Sequence, residues 1–191
     1  MKETHSKAET IIVSISMVVL AGLFVNIGNV FAILFRIDNQ VYINLVLIFS
    51  SLIGFVAIPL LFLYYLEFKP IKPKFYIISA IVLSVLILFI SIFIFQSEEI
   101  VHALIIATCE EFLFRVIILS VLLSCFKKRG AFVLGSLIFA ILLHLNGNFL
   151  LNFVMKFPAS VILYILADRF GLQSSIAFHW FYNICVGSIF G

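Results

Sequence analysis

Charge is the scarcest property of this sequence. Only 11% of its 191 residues are Asp, Glu, Lys or Arg, while 64% are hydrophobic. Soluble domains carry about a quarter charged and about half apolar residues, so this composition excludes one and indicates a polytopic membrane protein. The formal net charge is only +3, and the basic residues stand in short clusters between apolar runs. That pattern fits membrane topology and not a nucleic-acid-binding face. Cysteine is sparse as well. Cys109, Cys125 and Cys185 are odd in number, lie within apolar runs and lack C-x-x-C spacing. A disulfide framework and a thiolate zinc site are therefore not indicated, and the three read as small buried hydrophobes. The four prolines and nine glycines do not gather into a linker, and no low-complexity block or tandem repeat divides the chain, which reads as one integral domain. No H-E-x-x-H occurs, so the familiar local zinc signature is missing too.

Long apolar runs are what the sequence does contain. Counting about 20 residues per crossing gives seven, at 10–35, 41–68, 75–95, 101–126, 131–145, 149–167 and 172–190. In lipid such runs satisfy their own backbone groups as helices despite their Ile and Val content, so the expected fold is an all-α polytopic transmembrane bundle of about seven segments. The fifth run is short and the sixth holds Lys156 and Pro158, leaving room for a re-entrant or kinked segment there. The run after Lys2 and Lys7 is too long for a signal-peptide core and lacks an A-x-A site, so it reads as a retained first helix. With the amino terminus inside, the inner segments hold Lys2, Lys7, Lys69, Lys72, Lys74, Lys127, Lys128, Arg129 and Arg169, whereas the outer loops hold only Arg36. The excess of inner Lys and Arg sets the amino terminus in the cytoplasm and the carboxyl terminus outside. The segment Lys69-Pro70-Ile71-Lys72-Pro73-Lys74 reads as a stiff inner connection held against anionic headgroups. Glu98, Glu99 and His102 read as an outer, solvated turn.

Against this background a few polar residues stand out. Glu110, Glu111 and Arg115 interrupt the fourth run, where each ionisable side chain costs roughly 2.5–3.5 kcal/mol near the centre of a membrane helix. On a helix Glu111 and Arg115 share a face at i, i+4 with the acid first, the favourable order for a pair. Glu110 is turned about 100° away and stays free. His144 ends the fifth run, and His179 and Asn183 share a face of the last. A carboxylate, two imidazoles and an amide supply a base for water and donors for an oxyanion, the equipment for hydrolysing an amide bond. Two chemistries fit. In one, Glu110 takes a proton from a water also held by His144, while His179 and Asn183 donate to the oxyanion. In the other, Glu110, His144 and His179 bind zinc, which acidifies the water. Counted from the helix ends, His144 falls nearer the outer boundary and His179 nearer the inner one. They meet only if the helices are tilted, unequal or re-entrant.

In order along the chain, Glu110-Glu111-x-x-x-Arg115, a histidine closing the next segment and His179-x-x-x-Asn183 resemble the three motifs of the CPBP family. That family comprises the type II CAAX prenyl proteases and the bacteriocin-processing or immunity (Abi) proteins. The resemblance covers roughly residues 101–191 as a catalytic core, with residues 1–100 as preceding transmembrane helices. It implies an intramembrane endopeptidase in which Glu110 activates water, Glu111 and Arg115 form a supporting pair, His144 lies beside the water, and His179 and Asn183 serve the oxyanion. One departure stands: the family's second motif is usually Phe-x-x-x-His, whereas Ala140 lies four before His144 and Phe139 lies five before. The family has been described both as metalloprotease and as metal-free glutamate-dependent enzyme, and the second is the expectation here. The implied partners are membrane lipids and a peptide or membrane-associated protein substrate, in a bacterial plasma membrane. Competing readings are a non-enzymatic bacteriocin-immunity protein using the polar cluster as structural glue, and an ion or proton carrier.

Overall fold

A computed structural model describes residues 5–97, 99–142 and 149–190. Among the described residues there are seven helices and no strand: α1 (Lys7–Leu34), α2 (Gln40–Tyr65), α3 (Ile77–Phe95), α4 (100–123), α5 (Lys128–Leu142), α6 (Phe149–Phe170) and α7 (Leu172–Phe190). The expected all-α bundle is what forms. Local chemistry starts the helices. Ser6 and Glu9 close a capping box at α1, and the Asn39 side chain accepts from the Val41 amide at α2. The sixth run, the candidate for a re-entrant segment, is one helix through Pro158, which lies exposed on its outer side.

Among the described residues three helices, α1, α2 and α3, are long and apolar enough to cross a membrane. They turn many of their Ile, Leu, Val and Phe side chains outward, as a bundle dissolved in lipid requires. Helix α4 is the opposite case. Every residue from Leu113 to Leu122 is buried, the mark of a central helix wrapped by others. Around its carboxyl-terminal half pack Met17, Val18 and Ala21 of α1, Phe55 and Leu63 of α2, Ile138 and Phe139 of α5, and Tyr164 of α6. Around its amino-terminal half Ala103 and Ala107 meet Ile87 of α3 and Ala177, Trp180 and Ile184 of α7. Alanines on both α4 and α7 allow close approach, and Trp180 Nε1 donates to the Ile100 carbonyl at 2.9 Å.

The ends that the basic residues mark as inner are gathered on one face. The His5 ring stacks on Phe68 with centroids 4.0 Å apart, and Cys125 Sγ donates to the His5 carbonyl at 3.0 Å. Lys128 Nζ lies 2.5 Å from Asp168 Oδ1, and the Leu172 amide donates to the Lys74 carbonyl at 2.8 Å. The connection from Lys69 to Lys74 does more than stiffen this face. Its Ile71 amide donates to Ser120 Oγ of α4 at 2.9 Å, and the Tyr76 amide donates to Gln173 Oε1 at 3.2 Å, so it runs beneath the central helix. Gly171, at φ +93°, makes the turn from α6 to α7 where a Cβ would strike Gln173 and the Lys74 carbonyl.

Candidate active site

In the middle of α4 the backbone widens into a π-type stretch from Leu113 to Ile118, a local geometry often found at functional sites. It follows directly on Glu110 and Glu111 and contains Arg115. The expected pair is present and two-pronged: Arg115 Nε donates to Glu111 Oε2 at 2.8 Å and Nη2 donates to Oε1 at 3.2 Å. Both side chains are fully buried. The remaining guanidinium nitrogen, Nη1, donates to Ser160 Oγ of α6 at 3.2 Å. The guanidinium plane lies 3.9 Å from the Tyr164 ring centroid, and the Tyr164 hydroxyl donates to the Phe114 carbonyl at 3.0 Å. Two ion-pair bonds, a hydroxyl and an aromatic face thus offset the desolvation of this charge.

The same carboxylate reaches the last helix. His179 Nδ1 lies 2.9 Å from Glu111 Oε1, and the ring is buried. Because Glu111 can only accept, Nδ1 carries the proton, and a neutral ring then presents Nε2 as an acceptor. That nitrogen faces Glu110 Oε2 at 3.6 Å. Glu110 Oε2 is buried without a hydrogen-bond partner among the described residues. The two acceptors face each other across a gap slightly longer than a hydrogen bond. Glu110, Glu111, Arg115 and His179 are therefore brought together from two helices. Asn183 follows one turn later on α7, half-buried. His144 lies outside the described residues.

Ser160 and Tyr164 were not singled out from the sequence, although their spacing, one turn apart on the face of α6 that meets α4, was a signal that could have found them. Phe139 takes up the packing role in spite of its one-residue shift. Its ring meets His179 edge-on at 5.9 Å and Phe114 at 5.0 Å, with the Arg115 guanidinium 5.6 Å away. Beneath Arg115 a cavity of about 120 Å³ reaches toward the inner face between Lys72, Lys74, Leu119, Tyr164 and Asp168. It is roomy enough for several waters.

For a metal, the described residues offer two suitable groups, Glu110 and His179, since Glu111 is committed to Arg115 and to Nδ1. Among the described residues no three His, Cys, Asp or Glu side chains are placed to hold an ion. The third ligand of the zinc reading, His144, is outside them.

No curated protein and no solved structure matches the chain. The family model described as Type II CAAX prenyl endopeptidase Rce1-like matches residues 80–185, from within α3 through nearly all of α7. With more than half of its length under that match, this membrane chain belongs to the type II CAAX prenyl endopeptidase Rce1-like family, a family of proteases.

Proposed function

We propose that the protein is an intramembrane endopeptidase that hydrolyses a peptide bond with a water activated by Glu110. The observation that carries this is the buried, unpartnered Glu110 Oε2 facing His179 Nε2 across 3.6 Å. A water there donates one hydrogen to each acceptor, which turns its oxygen lone pairs toward the substrate carbonyl. Glu110 takes the proton as the oxygen attacks, and returns it to the leaving amine as the C–N bond breaks. Glu111 and Arg115 hold the His179 ring in this tautomer. His179, expected at the oxyanion, is tied to Glu111, which favours a water-holding role instead and leaves Asn183 as the oxyanion donor of α7. The family resemblance implies a water-holding role for His144 as well. The substrate is a peptide or membrane-associated protein segment entering from the lipid.

The test uses the full chain purified in detergent or lipid and a quenched-fluorescent farnesylated CAAX peptide with its non-prenylated twin. Wild type cuts at least one of them, and a folded Glu110→Gln variant cuts neither. Full cleavage by that variant would remove Glu110 from the mechanism, and would leave the immunity and carrier readings in possession of the polar cluster. Inhibition by a chelator that added zinc reverses would give Glu110 and His179 the role of metal ligands.

A further inference from the structure

Helix α6 carries three polar side chains at positions i, i+4 and i+8, Lys156, Ser160 and Tyr164, on the face it turns toward α4. Ser160 and Tyr164 hold Arg115. Lys156 lies one turn further from the inner face. It is half-buried, and its charge acts on Glu110 across the helix interface. It lines a small cavity with Phe139, Ala159, Leu163, Phe178, His179 and Tyr182, so Lys156 and His179 border the same space. A lysine about 10 Å from a helix end could have extended along its stem to the membrane boundary. Instead it lies against the site, beside His179 and within electrostatic range of the Glu110 carboxylate.

We propose that Lys156 is a further member of the reacting site, the cation that offsets the negative charge as the reaction moves it from Glu110 to the oxyanion. This rests on the reading of Glu110 as base. Before attack the charge sits on the Glu110 carboxylate. During attack an O–H bond of water breaks and its proton passes to Glu110, a C–O bond forms, and the carbonyl π pair moves onto oxygen. The total charge of the site is unchanged, and one fixed cation serves both states without rearrangement. With His179 Nε2 acting as acceptor, Asn183 alone would otherwise face the oxyanion, and an amide carries no charge.

Two measurements test this on the full chain in detergent. The first is cleavage of the same two peptides. Lys156→Met should lower kcat by about 10²-fold or more with KM within about threefold, and Lys156→Arg should regain about tenfold of that loss. A kcat within about threefold of wild type, or a rise in KM alone, overturns the proposal. If Glu110→Gln is inactive in the same assay, that failure leaves the proposed hydrolysis standing; if Glu110→Gln is fully active, both fall. The second measurement needs no turnover. Lys156→Met should lower the Tm of the wild-type chain more than that of the Glu110→Gln chain, because only the former is left with an uncompensated buried carboxylate. Equal losses in the two backgrounds overturn it.

Discussion

Arg115 is buried and answered on every side: by Glu111 twice, by Ser160, and by the faces of Tyr164 and Phe139. Glu111 is shared in turn with His179, so removing the guanidinium leaves a buried carboxylate with one imidazole for company. Breaking such a pair costs about 3–5 kcal/mol, and Arg115→Ala should lower both the yield of folded protein and its Tm, with activity falling as the His179 ring loses its anchor. Thermal unfolding in detergent beside a peptide-cleavage assay checks this. An unchanged Tm together with unchanged activity would remove the pair from its structural role. Asn183 has a different kind of consequence. Losing one oxyanion donor costs about 10²–10³ in rate, so Asn183→Ala should fold normally and keep measurable cleavage, where Glu110→Gln keeps almost none. The i, i+4 spacing made the Glu111–Arg115 pair legible in the sequence. The third party was not, because the register between α4 and α7 that puts Nδ1 on Oε1 is a matter of packing.

Among the elements, α6 shows how a helix outside the family's three motifs can still hold the site in shape. It approaches α5 at Gly135, where an added Cβ would land on the Tyr164 hydroxyl and ring. Tyr164 cannot swing away without giving up both its bond to the Phe114 carbonyl and its place under Arg115. Gly135→Ala should therefore cost about 1–3 kcal/mol of stability, as overpacking does, and lower kcat through a displaced Arg115 with little change in helix content. Circular dichroism with single-turnover cleavage separates the two effects. Wild-type stability and kcat in that variant would show that the α5–α6 contact has slack. Helix α4 depends on its neighbours in a similar way. Its π-type stretch is flanked by the Ile71 amide on Ser120, a tie from the basic connection that lies 49 residues earlier in the chain.

At the scale of the whole molecule, the ends of the seven helices that carry Lys7, Lys74 and Lys128 lie on one face. Such an excess of Lys and Arg belongs in the cytoplasm, which predicts the amino terminus inside and the carboxyl terminus outside. Reporter fusions or cysteine accessibility at residues 127–129 should find that loop cytoplasmic, and finding it outside would invert the topology while leaving the site chemistry untouched. The apolar runs and their punctuation by charge determined the all-α bundle and the helix ends to within a few residues, because a backbone in lipid has no other way to satisfy its hydrogen bonds. The cost of a charge in hydrocarbon likewise singled out Glu110, Glu111, Arg115 and His179 before any geometry was known. The tertiary structure alone decided that Glu111 serves both Arg115 and His179, that Glu110 Oε2 is left facing Nε2, and that Ser160, Tyr164 and Lys156 complete the surroundings. These relations depend on the depth and rotation of one helix against another. Those are set by side-chain packing summed over the whole bundle, which no local pattern in a single segment encodes.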